Sequence, residues 1–287
     1  MRLPVFDAIY GVDFSGAKLA GRNIWVARTE PLPGRKRPPF YRLTELSRLE
    51  RLCGTAERGP ALAYLTALIG ESEQALWALD FPFGLPIEVM APTATWPAQF
   101  DFLRQWGDDA YSAGIECVRR ARVLGGAMHI RRVTDSETKT PFDCYHYRII
   151  YQTFFGMRDV LGPLRQTAFT AVLPFHYRRL GTARRVLIEA CPTSTLKRLG
   201  LPHRNYKQPE GGSLTPQRRV NRRAILAGLT ELVRFDRRQW LTMMRNGGAD
   251  ALDAVIAAVG GAQAWIAAEH AQIARHPRYP REGRLFC

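Results

Sequence analysis

Four short segments, far apart in the chain, each set carboxylates where carboxylates are costly. Gly11-Val12-Asp13-Phe14-Ser15-Gly16, Leu79-Asp80-Phe81-Pro82-Phe83-Gly84 and Ile188-Glu189-Ala190-Cys191-Pro192 each put one acid at the end of an apolar run with the character of a strand. Asp250-Ala251-Leu252-Asp253-Ala254 puts two acids three residues apart in an apolar, alanine-rich run, on one face of a helix. A carboxylate beside buried apolar residues needs a partner. Several that converge repel one another unless a cation lies between them. Oxygen donors suit hard divalent cations. The economical reading is a divalent-metal site, for Mg²⁺ or Mn²⁺, assembled from Asp13, Asp80, Glu189, Asp250 and Asp253. Asp13, Asp80, Glu189 and Asp253 are then the candidate catalytic acids.

Each acid also has a plain structural reading. Asp13 can cap the Ser15-Gly16 bend, and Asp80 can bond the backbone of the Pro82–Gly84 loop. Glu189 can pair with Arg184 or Arg185, although strand alternation sets it on the face opposite Ile188. Asp250 can serve only as a favourable charge near a helix N-terminus. Asp253, between Leu252 and Ala254, is a poor helix former with no local reason to be there.

Around these acids lie residues suited to phosphate. Ser15 and Lys18 flank the first one. Arg131 and Arg132 precede an aromatic segment that carries Tyr147 and Arg148, a mixture suited to phosphate contact and base stacking. A solvated basic face above an aromatic core stripe is the structural alternative. The formal charge is +15 and the pI about 10.2, which favours polyanions and nucleic acid first among them. Of 41 basic residues only five are lysines (Lys18, Lys36, Lys139, Lys197 and Lys207), leaving 36 arginines. Such a bias can also come from a GC-rich coding sequence.

The elements that must hold the acids follow from periodicity. Strands are expected at 7–14, 23–28, near 40–43, at 75–80, near 169–173 and at 185–190. The first three are close in sequence and should pair as an antiparallel meander. Helix is expected from 44 to 70 with breaks at Gly54 and Gly59-Pro60, and from Phe142 to about 161. Another should follow Pro192, with Thr193 as its N-cap, and others run from about 217 and from 248 to 268. A polar stretch at 31–39 separates the second and third strands. Residues 87–165 read as a mainly helical insertion or cap within a single domain spanning 1–287. The order implies an α/β fold with a mixed sheet.

Composition sets limits. With 46% hydrophobic and 23% charged residues this is an ordinary folded chain. Five dispersed cysteines argue against a disulfide framework or a cysteine zinc site. No uninterrupted apolar run reaches the roughly 18 residues of a membrane span, and the first residues lack a signal peptide's apolar core. A cytoplasmic protein without a membrane partner is the expectation.

The order of acids and strands resembles the ribonuclease H-like superfamily, and Asp250–Ala254 is similar to the last helix of its Holliday-junction resolvases. More closely, Gly11–Ala17, Leu79–Gly84, Glu189–Thr193, Asp250–Ala254 and Glu282-Gly283-Arg284-Leu285-Phe286 together resemble the family called domain of unknown function 429, whose members are predicted nucleases of ribonuclease H-like fold. The resemblance spans nearly the whole chain. It implies a mixed sheet flanked by helices and a metal-dependent nuclease, with two Mg²⁺ or Mn²⁺ ions held by the carboxylates beside a phosphodiester substrate. Asp13 would be the metal-bridging acid of the first strand, Asp80 or Glu189 the acid of a second strand, and Asp253 with Asp250 would close the site.

Two rival readings stay open. Asp13-Phe14-Ser15-Gly16-Ala17-Lys18 also resembles the first phosphate turn of actin-like ATPases and sugar kinases, which would make the protein a nucleotide phosphohydrolase or kinase. Alternatively the acids are structural, and the basic surface makes a non-catalytic nucleic-acid-binding protein.

Overall fold

The computed structural model describes residues 3–33, 40–90, 93–125, 127–209 and 211–287, so the 34–39 part of the expected polar stretch lies outside the described residues. Among the described residues seven strands form one sheet: β1 (Ala8–Asp13), β2 (Trp25–Pro31), β3 (Tyr41–Arg48), β4 (Ala75–Asp80), β5 (Thr170–Val172), β6 (Arg185–Glu189) and β7 (Val233–Arg234). Their order is β5-β6-β4-β1-β2-β3-β7. β1, β2 and β3 pair antiparallel. β4 runs parallel to β1, β6 to β4, β5 to β6, and β7 to β3. The fold is α/β, a mixed sheet flanked by helices. β6 is buried along its whole length and β4 along all but its last residue, which is why both read as unbroken apolar runs.

Several boundaries differ from expectation. β3 runs on through Thr44–Arg48, where helix was expected, because pairing with β2 outweighs the helix preference of Glu45 and Leu46. Helices then occupy Leu49–Cys53 and Arg58–Glu71. Pro60 lies in the first turn of the second, where a missing N–H costs nothing. Residues 141–149 form turns, and the helix begins only at Ile150. Cys191 is the N-cap of helix Pro192–Arg198, which leaves Thr193 inside its first turn.

Strand alternation gives the sheet two faces. On one, Ile9, Leu76, Ala78, Val186 and Ile188 pack with helix Asp250–Ala267 and with Ile225, Leu226 and Leu229. On the other, Val12, Trp77, Leu79 and Leu187 pack with Leu62, Leu65 and Ile69 and with Phe100, Leu103, Phe154 and Leu161. Residues 87–165 thus share the core of helix Arg58–Glu71 and form a helical layer over the second face.

Helix Asp250–Ala267 lies very near the sheet. A Cβ on Gly11 of β1 would stand 2.0 Å from the Ala254 carbonyl oxygen and 2.4 Å from the Ala258 amide nitrogen, and one on Gly261 would stand 2.8 Å from Ala78 Cβ. By length and composition this helix could cross a membrane, but 72% of it is buried inside the protein.

Candidate active site

β1 and β4 end together. Asp13 and Asp80 are direct partners in the parallel register, so their strands lie about 4.8 Å apart and both side chains leave the same face. That face carries helix Asp250–Ala267. The bare Gly11 backbone lets the helix close on β1, and this brings Asp253 beside Asp13. Asp253 is fully buried, whereas Asp13, Asp80 and Asp250 are partly open. All four line one cleft of about 920 Å³.

The electrostatics show that the acids are neighbours. Burial pushes the Asp13 carboxyl well above the usual carboxylate range; Asp253, Asp250 and Asp80 add to this and Lys207 opposes it. Burial likewise raises Asp80 to about 8, with Lys207 opposing and Asp253 and Glu189 adding. Asp250 is raised by burial, opposed by Lys207. Burial pulls the Lys207 ammonium down, but Asp253, Tyr206 and Asp13 outweigh that and hold it well above the usual lysine value. Four carboxylates therefore share one seated cation.

That cation makes an ion pair with Asp253 Oδ2, while the Tyr206 hydroxyl donates to Asp253 Oδ1 at 3.0 Å. The 206–207 segment is held from behind by Arg222, which is fully buried. Its guanidinium donates to the carbonyls of Tyr206, Met243, Met244, Asn246 and Gly247. One side chain thus ties the Lys207 loop to the turn that precedes Asp250.

No protein-family model, curated protein or solved structure matches the chain.

Glu189 differs from the other acids. It is the register partner of Leu79, one residue out of phase with Asp80, so it leaves the opposite face of the sheet. There it meets Arg132, which is 1% exposed. Arg132 Nη1 donates to Glu189 Oε2 at 2.8 Å and Nη2 to Oε1 at 2.5 Å. The same guanidinium grips Asp135 through Nε at 3.0 Å and Nη2 at 2.8 Å, and the Phe83 amide adds a bond to Glu189 Oε2 at 2.9 Å. Glu189 and Arg132, expected as a metal ligand and a phosphate contact, both line the same cleft but pair with each other there; neither Arg184 nor Arg185 is Glu189's partner. The chain's last segment seals this knot. The Glu282 carbonyl accepts a bond from Arg132, and its carboxylate accepts from the Val133 and Ile87 amides.

The other expected contacts divide. Ser15 lines the cleft. Lys18 is exposed and lies outside the lining, as do Arg131, Tyr147 and Arg148. Arg131 donates to the Thr140 carbonyl at 2.8 Å. Tyr147 and Arg148 form a rim with Phe142, which does line the cleft: the Arg148 guanidinium stands 5.6 Å from both ring centroids.

Sequence reading missed Lys207, Tyr206 and Lys197 in the cleft wall, and Arg222 behind it. Residues 204–216 look only like a polar loop. The available signal was composition: in a chain that uses arginine almost everywhere, a lysine marks a place for a compact ammonium. Two of the four described lysines, Lys197 and Lys207, line this cleft.

Proposed function

We propose that the cleft is the centre of a divalent-metal-dependent phosphodiesterase acting on nucleic acid, on a ribonuclease H-like sheet. The observation that carries this is the register pair Asp13–Asp80 at the ends of adjacent parallel strands, met by Asp250 and Asp253 from the long helix. The meander β1–β3 continued by parallel β4 and β6 supports the same reading.

The donors suit Mg²⁺ or Mn²⁺ in kind, being all oxygen. Burial and mutual repulsion hold the Asp13 and Asp80 carboxyls above their usual range, a cost that a cation bound between them would relieve. Among the described residues, no three acidic, histidine or cysteine side chains are gathered closely enough to hold an ion as they stand. Asp13, Asp80 and Asp250, which reach the open cleft, would hold the metal, with Asp253 behind them. Bound there, it would polarise a phosphoryl oxygen and activate water. The chain's own residues would do the rest. Lys207 and Lys197 offer ammonium groups to phosphate. Tyr206 fixes Asp253. The Phe142–Tyr147–Arg148 rim offers rings and a guanidinium for a base to stack on.

The Lys207–Asp253 pair favours a second reading, in which the acids are structural and the basic protein only binds nucleic acid. Titration of Mn²⁺ by calorimetry separates the two. Binding by the wild type and its loss in Asp13→Asn are expected; a folded wild type that takes up no Mn²⁺, with or without oligonucleotide, would move the binding-protein reading ahead.

A further inference from the structure

A second concavity, of about 650 Å³, lies beyond Asp250. It is lined by Trp25 and by five arginines: Arg48, Arg51, Arg237, Arg238 and Arg245. We propose that this groove is a track for the phosphate backbone of nucleic acid, continuous with the acid cleft and indifferent to base sequence.

The alignment comes from the sheet. Asp80 pairs with Asp13, Asp13 with Trp25, and Trp25 with Arg48. Direct partners share a face, so these four side chains form one row across β4, β1, β2 and β3. Two interstrand spacings, about 10 Å, separate Asp13 from Arg48. Arg51 adds to the far end of the row from helix Leu49–Cys53, and helix Arg237–Arg245 carries the other three arginines alongside. Asn246 joins the two concavities: it lines the groove, and its amide donates to Asp250 Oδ2 at 3.4 Å. A strand with one phosphate at the acid pair would lay its neighbours along this row.

The chemistry of the groove selects the ligand. All five arginines are exposed, and among the described residues none of them forms an ion pair, although elsewhere in the protein arginines such as Arg158 and Arg278 are taken up by carboxylates. Unpaired guanidiniums massed in a concavity repel one another until an anion arrives, and their forked donors match phosphate oxygens. Trp25 is only 7% exposed, so its ring cannot stack on a base, yet its Nε1–H has no acceptor. The Arg48 guanidinium stands over that indole at 5.4 Å. Cations and N–H donors without an open aromatic face read backbone and not bases.

Phosphate binding in the groove stands on these arginines alone; its use in presenting a strand to the acids rests on the nuclease reading. The test is fluorescence anisotropy of fluorescein-labelled single-stranded DNA in EDTA. Three proteins are compared: wild type; a groove variant, Arg51→Ala with Arg237→Ala and Arg238→Ala; and a charge-matched control, Arg122→Ala with Arg223→Ala and Arg275→Ala. At about 0.7 per phosphate contact on a single strand, the groove variant should lose about 2 from the slope of log affinity against log salt, or roughly a hundredfold in affinity at about 0.1 M salt. The control should stay within a few-fold of wild type. Equal loss in the groove variant and the control, or no loss in either, overturns the proposal. The nuclease reading is decided separately by Mn²⁺ uptake, so either can fail alone.

Discussion

Replacing Gly11 with alanine should damage the candidate site from a distance. The added Cβ would stand 2.0 Å from the Ala254 carbonyl oxygen and 2.4 Å from the Ala258 amide nitrogen. Both are backbone atoms in the middle of an 18-residue helix, so no side chain can rotate away. Ordinary contact needs about 3.4 Å or more, so the helix must retreat by more than an ångström from β1. Overpacking of this kind costs about 1–3 kcal/mol and occasionally more; with unyielding backbone on the other side, about 3 kcal/mol or more is expected. For a chain of this size that lowers Tm by about 6–12 °C. Because the same helix carries Asp253 to Asp13, surviving folded protein should also bind Mn²⁺ more weakly. Differential scanning calorimetry and Mn²⁺ titration read the two effects. Gly59→Ala is the control, since nothing lies within 4 Å of its Cβ; it should be neutral or slightly stabilising. A Gly11→Ala protein melting within about 2 °C of wild type would refute the reasoning that close packing on Gly11 assembles the acids.

Glu189→Gln should destabilise by about 3–5 kcal/mol, because it strips a buried arginine of one carboxylate, and should leave Mn²⁺ affinity per folded molecule unchanged; urea unfolding with titration checks both, and loss of Mn²⁺ binding alone would return Glu189 to the metal site. The metal-free protein should lose stability as pH rises from about 4 to about 8. Over that window the folded state keeps on Asp80 a proton that the unfolded state has released, its carboxyl moving from 3.8 to about 8. Urea melts in EDTA should show the decline, and Asp80→Asn should flatten it; an unchanged slope in that variant would show that Asp80 is not the group being forced to ionise.

How far this could be read beforehand depends on whether local pattern or register carries the information. Asp13 and Asp80 were legible because each ends an apolar strand, and Asp250 with Asp253 because three-residue spacing aligns them on a helix. Glu189 matches the same pattern, but its face relative to Asp80 depends on the pairing of β4 with β6, a single-residue offset that alternation within one strand cannot reveal. Its partner Arg132 lies 57 residues away and looks like any basic residue in a basic chain. β3 was cut short because Glu45 and Leu46 favour helix in isolation. β7 was unforeseen because two residues carry no periodicity. Arg222 has no signature at all: only the carbonyls it collects reveal what it does.

The tail contact has a consequence for synthesis. Glu282 bonds the amide of Ile87, 195 residues earlier in the chain. At about 5–20 residues per second, roughly 10–40 s of translation separate those two points. Throughout that interval Phe83 and Leu85 are already made, and for its last 150 residues Arg132 as well, while the segment that covers them is not. The second face of the sheet would meet the cell's chaperones with an apolar loop and an incompletely paired arginine exposed. A chain interrupted before Glu282 would keep that face uncovered and Arg132 without the Glu282 carbonyl.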